Sequence, residues 1–240
     1  MKHMLGIAII GGDGPSPQAL REIASGADIL VAADSGLIAA ERAGLTAHWV
    51  VGDMDSLEGS LVSPENLPSG NVSPLGSNLL EKYPPERIIR YPPDKDYTDT
   101  ELALMLLREK GCSQLWLAGG GGGRVDHLFA IRSLFERQDS PDRWFTNNED
   151  IHCLREGTTL NVRLPPGQKH TGSLPSALGV SVFPLGSGPW QAESFGLKWP
   201  LNGLNWETGG GGLGLSNIAE NGAFEIRSIR GRFMVICLIA

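Results

Sequence analysis

The chain has 240 residues, enough for one large domain or two modest ones, each with its own core. Hydrophobic residues make up 41% and charged residues 20%, an ordinary globular balance, and no apolar run approaches the ~18 residues of a membrane span. The net charge of −7 argues against nucleic-acid and acidic-membrane partners, which demand clustered Lys and Arg.

Residues 1–4 run straight into an apolar stretch that ends at Gly11-Gly12. This reads as a first buried strand over residues 5–10 rather than a signal peptide, because no small-residue cleavage site follows. Ser16-Pro17 has the pattern of an N-cap with proline at the first helical position, and Leu20, Ile23 and Ala24 supply the helix's apolar face. A second strand is expected over 29–33, a short helix over 36–43 closed by Gly44, and a third strand over 49–51. Residues 58–85 are rich in Ser, Pro, Gly and Asn and read as a long surface loop, with a short helix near 79–82. A fourth strand follows over 87–91. Thr98-Asp99-Thr100-Glu101 fits the capping box, with Leu102, Met105 and Leu106 as the buried stripe and Gly111 as the stop. A fifth strand is expected over 115–118, then a glycine loop over 119–123. Asp126 opens a further helix with Leu128, Ile131, Leu134 and Phe135 on one face, and Trp144-Phe145 closes this half. Strands alternating with helices of this length imply a mostly parallel sheet.

From about residue 150 helical periodicity disappears. Strand-like runs over 160–164, 180–183, 224–229 and 233–239 are separated by Gly, Pro and Asn turns, the pattern of an antiparallel sandwich or barrel. The expected fold is therefore an α/β N-terminal domain, 1–147, followed by an all-β sandwich domain, 148–240. The three cysteines, Cys112, Cys153 and Cys237, show no metal-ligand spacing, so reduced thiols in a cytoplasmic protein are expected.

The acids carry the functional signal. Asp34 follows the second strand and Asp53 and Asp55 the third. Asp94, Asp96 and Asp99 follow the fourth, and Asp126 lies beyond the glycine loop after the fifth. All fall at the carboxyl ends of parallel strands, where open α/β sheets bind ligands. A single Asp in such a turn is most often a helix cap. Several together repel unless a cation compensates them, and hard oxygen donors beside a phosphate suit Mg²⁺. Gly52-Asp53-Met54-Asp55-Ser56 sets two acids two residues apart in a turn, so that both can reach one ion. Lys95 and Arg124 offer cations to phosphate oxygens. The N–H groups of 119–123 can cradle phosphates, although a plain turn explains that run as well. His127 stands beside Asp126 and is either catalytic or a local helix-start residue. No G-K-[ST] ends a glycine loop and the first turn is not G-x-G-x-x-G, so neither a P-loop NTPase nor a dinucleotide dehydrogenase is supported.

In order, GDMDS (52–56), DKDYTDTELAL (94–104), GGRVDH (122–127), FGLKWPL (195–201) and GLSN (214–217) resemble the signatures of thiamin pyrophosphokinases, across nearly the whole chain. The resemblance implies an N-terminal ATP-binding α/β domain and a C-terminal sandwich that helps bind thiamin. It also implies a homodimer whose active sites are shared between chains. It assigns Asp53 and Asp55 to Mg²⁺ and polyphosphate, with Asp99 as a further metal ligand. Asp96, Thr98 and Asp99 form the second acidic motif, beside Lys95. Gly122, Arg124, Asp126 and His127 lie near the nucleotide, as do Asp34, Ser35 and Gly36. Ser216 and Asn217 match the thiamin side, and Phe233 stands in the final strand, where some relatives place a stacking tryptophan. Asp99 or Asp55 is the expected general base. Two alternatives stay open: a pyrophosphokinase of another alcohol such as a pterin, and a sensor built on an inactive enzyme.

Overall fold

The computed structural model describes residues 3–58, 79–163, 178–208, 211–219 and 221–239. The chain divides into two compact units, Met1–Ile131 and Arg132–Ala240. In the first, apolar runs form β1 (Leu5–Ile9), β2 (Ile29–Ala33), β3 (Trp49–Gly52), β4 (Ile88–Arg90) and β5 (Gln114–Ala118). The helices are α1 (Pro17–Ala24), α2 (Gly36–Arg42), α3 (Asp55–Glu58), α4 (Asp99–Glu109) and α5 (Val125–Leu134), the last running across the division. The strand order is β5-β1-β2-β3-β4 and every pair is parallel. The chain thus moves outward from β1 to β4 and then returns to the other side of β1. All five carboxyl ends lie on one edge.

All five residues of β1 are buried, as expected of a parallel strand covered on both faces. Leu5, Ile7 and Ile9 share a core with Leu20 and Ala24 of α1 and Ala40 of α2. Full burial of a leucine such as Leu20 contributes about 2 kcal/mol. α1 starts as its sequence predicts: Ser16 Oγ accepts from Ala19 N at 3.3 Å and Pro17 opens the helix. α4 packs on β1, β2 and β3. Its buried residues are Leu102, Ala103, Leu104, Leu106 and Leu107, whereas Met105, expected in that stripe, is 47% exposed. The apolar arc of α4 is wide enough that the pattern alone does not say which edge of it the sheet covers. A single 3₁₀ turn, Leu80–Lys82, stands where a short helix was expected, and most of the surrounding 58–85 loop lies outside the described residues.

The second unit is built from β6 (Arg143–Phe145), β7 (Glu149–Leu154), β8 (Thr159–Arg163), β9 (Leu178–Leu185), β10 (Gln191–Phe195), β11 (Asn217–Ala219), β12 (Ala223–Arg230) and β13 (Arg232–Leu238). One antiparallel sheet runs β11-β9-β13-β7-β6, the other β10-β12-β8. Both contribute to one core. Val180, Val182, Phe233 and Val235 come from the larger sheet, and Ala192, Phe224 and Ile226 from the smaller. Trp144-Phe145, read from sequence as the end of the α/β half, pairs antiparallel with β7, Trp144 opposite Ile151. Pairing direction is a long-range property that a three-residue apolar run does not encode. All three cysteines are free thiols. Burial pushes the Cys237 thiol up to about 12. Among the described residues no helix is long and apolar enough to cross a membrane.

One half-buried ion pair braces the larger sheet. Arg143 donates from Nε to Asp150 Oδ1 at 2.7 Å and from Nη2 to Oδ2 at 2.5 Å, and His152 Nε2 lies 3.1 Å from Oδ1. Burial alone would raise the Asp150 carboxyl, but Arg143 and His152 outweigh it and bring it down to about 2. A carboxylate whose pKa falls on folding gives stability that is complete above its unfolded value, 3.8, and lost as pH falls toward 2. Asp150 should therefore contribute about 2 kcal/mol at neutral pH. Urea unfolding of Asp150→Asn should show that loss at pH 7 and almost none near pH 2. An equal loss at both pH values would contradict the account.

Candidate functional site

The site grows from two strand ends and the start of a helix. β2 stops at Ala33 and Asp34 follows with φ of 47°, its N–H donating to Val51 O at 2.9 Å. The left-handed conformation costs a residue with a side chain roughly 1–2 kcal/mol, and such residues gather at functional sites. β3 stops at Gly52, whose φ is 139°. A Cβ there would lie 3.2 Å from Asp99 Oδ1 and 3.3 Å from Asp34 Cβ, so a bare backbone lets the two acids close over the strand end. Met54, with φ of 69°, is fully buried among Leu37, Leu57 and Tyr83. Anchoring Met54 turns the chain so that Asp55 N–H donates back to Asp53 Oδ1 at 3.1 Å. Asp99 is set by the first turn of α4, whose capping box forms in full. Thr98 Oγ1 accepts from Glu101 N at 3.2 Å, and Thr98 N donates to Glu101 Oε2 at 2.9 Å.

These devices bring carboxylate oxygens of Asp34, Asp53 and Asp99 within 4.8 Å of one another. Lys95 enters the group, its Nζ 3.1 Å from Asp99 Oδ1 and 3.4 Å from Asp53 Oδ2. The Asp55 N–H, then Lys95, hold the Asp53 carboxyl below the usual range, against burial. Asp99 moves the other way: burial raises it, Lys95 pulls it down, and the charges of Asp53 and Asp34 raise it further. Burial would lower the Lys95 ammonium, but Asp99 and Asp53 together raise it. Lys95 and Asp99 are thus not a self-contained pair, since one ammonium cannot offset three carboxylates. Asp34 Oδ1 is buried with no hydrogen-bond partner among the described residues. An all-oxygen donor set with excess negative charge and an unpartnered oxygen fits a hard divalent cation.

The other predicted site residues divide into groups. Asp55 and Asp96 are exposed and outside the three-acid group. The Thr98 hydroxyl is engaged with Glu101. Ser35 Oγ fills the space beside Gly11, and a Cβ at Gly36 would stand 2.1 Å from Ile9 O, so Gly36 seats α2 directly on the end of β1. Arg124 grips Asp126 through Nε at 3.1 Å and Nη2 at 2.5 Å, both side chains being exposed, and His127 is exposed beside them. The glycine loops bond chiefly to each other. Gly120 N donates to Gly11 O at 2.7 Å, Asp13 N to Gly121 O at 2.7 Å and Gly121 N to Asp13 O at 2.8 Å. The Asp13 carboxylate occupies the place of any Gly122 side chain, 2.1 Å from the Cβ position. The N–H groups of Gly120 and Gly121 are therefore committed to backbone rather than open to phosphate.

In the second unit Phe233 is fully buried, its ring edge-on to Trp206 with centroids 5.1 Å apart. It is a core residue, because alternation in β13 turns it toward the facing sheet. Asn217 is also buried, and its amide holds a neighbouring segment. Its Oδ1 accepts from Trp199 N at 3.1 Å and its Nδ2 donates to Trp199 O at 2.6 Å. Ser216, with φ of 54°, is exposed, and its N–H donates to Ser181 Oγ at 3.2 Å. Asn217 thus positions Trp199, which is 52% exposed with Lys198 Nζ 4.8 Å from its ring centroid. Trp199 lies within the FGLKWPL signature read from the sequence, and the exposure of its ring is what the fold adds.

A parallel sheet with carboxylates crowded on its carboxyl edge defines an α/β protein of the kind that binds ligands at that edge. The family model described as "Thiamin pyrophosphokinase, catalytic domain" matches residues 20–142, which is 123 of the 240 residues. The chain belongs to the thiamin pyrophosphokinase family, and it is an enzyme, a transferase of the thiamin diphosphokinase type. Among solved structures it is similar to thiamine pyrophosphokinase from Bacillus subtilis, with a TM-score of 0.71, 19% identity and 99% of each chain covered. It is also similar to that from Geobacillus thermodenitrificans (0.69, 22%, 99% of this chain and 98% of that one). The likeness to that from Candida albicans covers 98% of this chain and 89% of that one, at 0.70 and 17% identity. At these identities the likeness is one of fold. No curated protein sequence matches the chain.

Removing the Asn217 amide takes the side-chain partner from the part-buried carbonyl and N–H of Trp199. Asn217→Ala should cost about 1–3 kcal/mol of stability. Its indole fluorescence should also shift as Trp199 loses its fixed backbone. A variant of unchanged stability and spectrum would remove the positioning role.

Proposed function

We propose that this enzyme transfers the pyrophosphoryl group of ATP to the hydroxyl of thiamin, giving thiamin diphosphate and AMP, with Mg²⁺ held by Asp34, Asp53 and Asp99. The observation that carries the reading is the three-acid group, with its unpartnered Asp34 oxygen, inside the stretch matched by the family's catalytic domain. The thiamin oxygen bonds to the β-phosphorus as the bond from that phosphorus to the α–β bridging oxygen breaks, and AMP leaves with that oxygen. Such transfers depend chiefly on positioning and charge neutralisation. The cation, when bound, neutralises polyphosphate charge. Lys95 and Arg124 supply protein cations to the phosphate oxygens. Asp55 lies outside the acid group yet is tied to it through its own N–H, and it accepts the hydroxyl proton. On this reading residues 1–147 hold ATP and residues 148–240 contribute to thiamin binding. Ser216 takes part directly, and Asn217 acts through Trp199. Two chains pair as a homodimer, and the enzyme works in the cytoplasm.

The purified chain, given thiamin, ATP and Mg²⁺, should yield thiamin diphosphate and AMP in equal amounts by chromatography. Asp53→Asn should lower kcat by at least about a hundredfold. Release of ADP with thiamin monophosphate, or no product, would sink the pyrophosphoryl assignment.

A further inference from the structure

Neither oxygen of Asp53 is free. Oδ1 accepts from the Asp55 N–H at 3.1 Å and Oδ2 faces Lys95 Nζ at 3.4 Å. Asp99 Oδ1 faces the same ammonium at 3.1 Å. Among the described residues Asp34 Oδ1 is buried with no hydrogen-bond partner, and Asp99 Oδ1 is buried with that ammonium as its ion-pair neighbour. A divalent cation that draws on all three acids therefore meets an ammonium already seated on two of them. Both cannot keep their best positions, because charges of the same sign a few ångströms apart in a partly buried group repel strongly. The Lys95 side chain is 11% exposed, folded into the acids rather than reaching outward. Moving it out would carry its charge toward any anion bound beside the acids.

We propose that Lys95 is a built-in counter-ion: it offsets part of the acids' charge in the metal-free enzyme and is displaced when the divalent cation arrives, which frees the ammonium for the polyphosphate. The proposal rests on the metal reading above. Its consequence is that metal alone binds against competition, while metal and nucleotide reinforce each other, since the nucleotide gives the displaced ammonium a partner.

Binding of Mn²⁺ alone, without nucleotide, tests this in the wild type, Lys95→Met and Lys95→Arg. Lys95→Met should bind the ion roughly tenfold more tightly than wild type, and Lys95→Arg close to wild type. The reinforcement by ATP should shrink in Lys95→Met. A second measurement needs only the wild type: Mn²⁺ should raise acetylation of Lys95 several-fold, with Lys82, already 58% exposed, as the unchanging reference. Affinity in Lys95→Met equal to or weaker than wild type, or labelling of Lys95 that stays level at saturating metal, would overturn the counter-ion role and leave the metal site standing. If neither wild type nor Lys95→Met binds the ion at millimolar concentration, the metal reading itself falls, and the counter-ion role with it.

Discussion

Like charges held a few ångströms apart must be compensated, and this requirement organises the carboxyl edge of the first unit. Asp34 and Asp53 follow the ends of β2 and β3, Asp99 opens α4, and the three converge within 4.8 Å. Each is restrained by something other than its neighbours. Asp34 is fixed by its left-handed backbone, Asp53 by the Asp55 N–H and Asp99 by the α4 capping box. Without those restraints the acids would separate. Lys95 offsets part of the charge, and the remaining excess makes the group receptive to a cation.

The restraint works only because the scaffold behind it is stiff. β1 and β2 are covered by helices, and the positions of the acids follow from the register of the parallel strands. A bare Gly52 lets two carboxylates meet above the end of β3, and Gly36 seats α2 directly on β1. The glycine loops after β1 and β5 bond to one another and pin the neighbouring part of the same edge. Glycine here serves close backbone approach, with the N–H groups of Gly120 and Gly121 spent on the facing loop.

The second unit applies the same logic with amides in place of charges. Asn217 is buried at no cost in unmet hydrogen bonds, because both ends of its amide are used on Trp199 and its Oδ1 also accepts from Ile218 N at 2.8 Å. A polar residue that belongs to a family signature thereby holds up another residue, whose ring is exposed. Phe233, by contrast, gives its whole side chain to packing against Trp206.

Much of this was present in local pattern. Apolar runs of strand length, the Ser16-Pro17 start, the Thr98 to Glu101 capping box and the placement of acids after strands all follow from residue type and spacing, which act over a few residues. The family signatures extend that reading because they are short and ordered. Tertiary structure alone decided which acids meet: Asp34 joins Asp53 and Asp99, while Asp55, two residues from Asp53, stays outside. It decided that Trp144 pairs with β7, that Met105 faces outward and Phe233 inward, and that the glycine loops bond to each other. Those outcomes depend on strand order, register and backbone dihedral angles, which bring together residues far apart in the chain and so leave no trace in the spacing of neighbours.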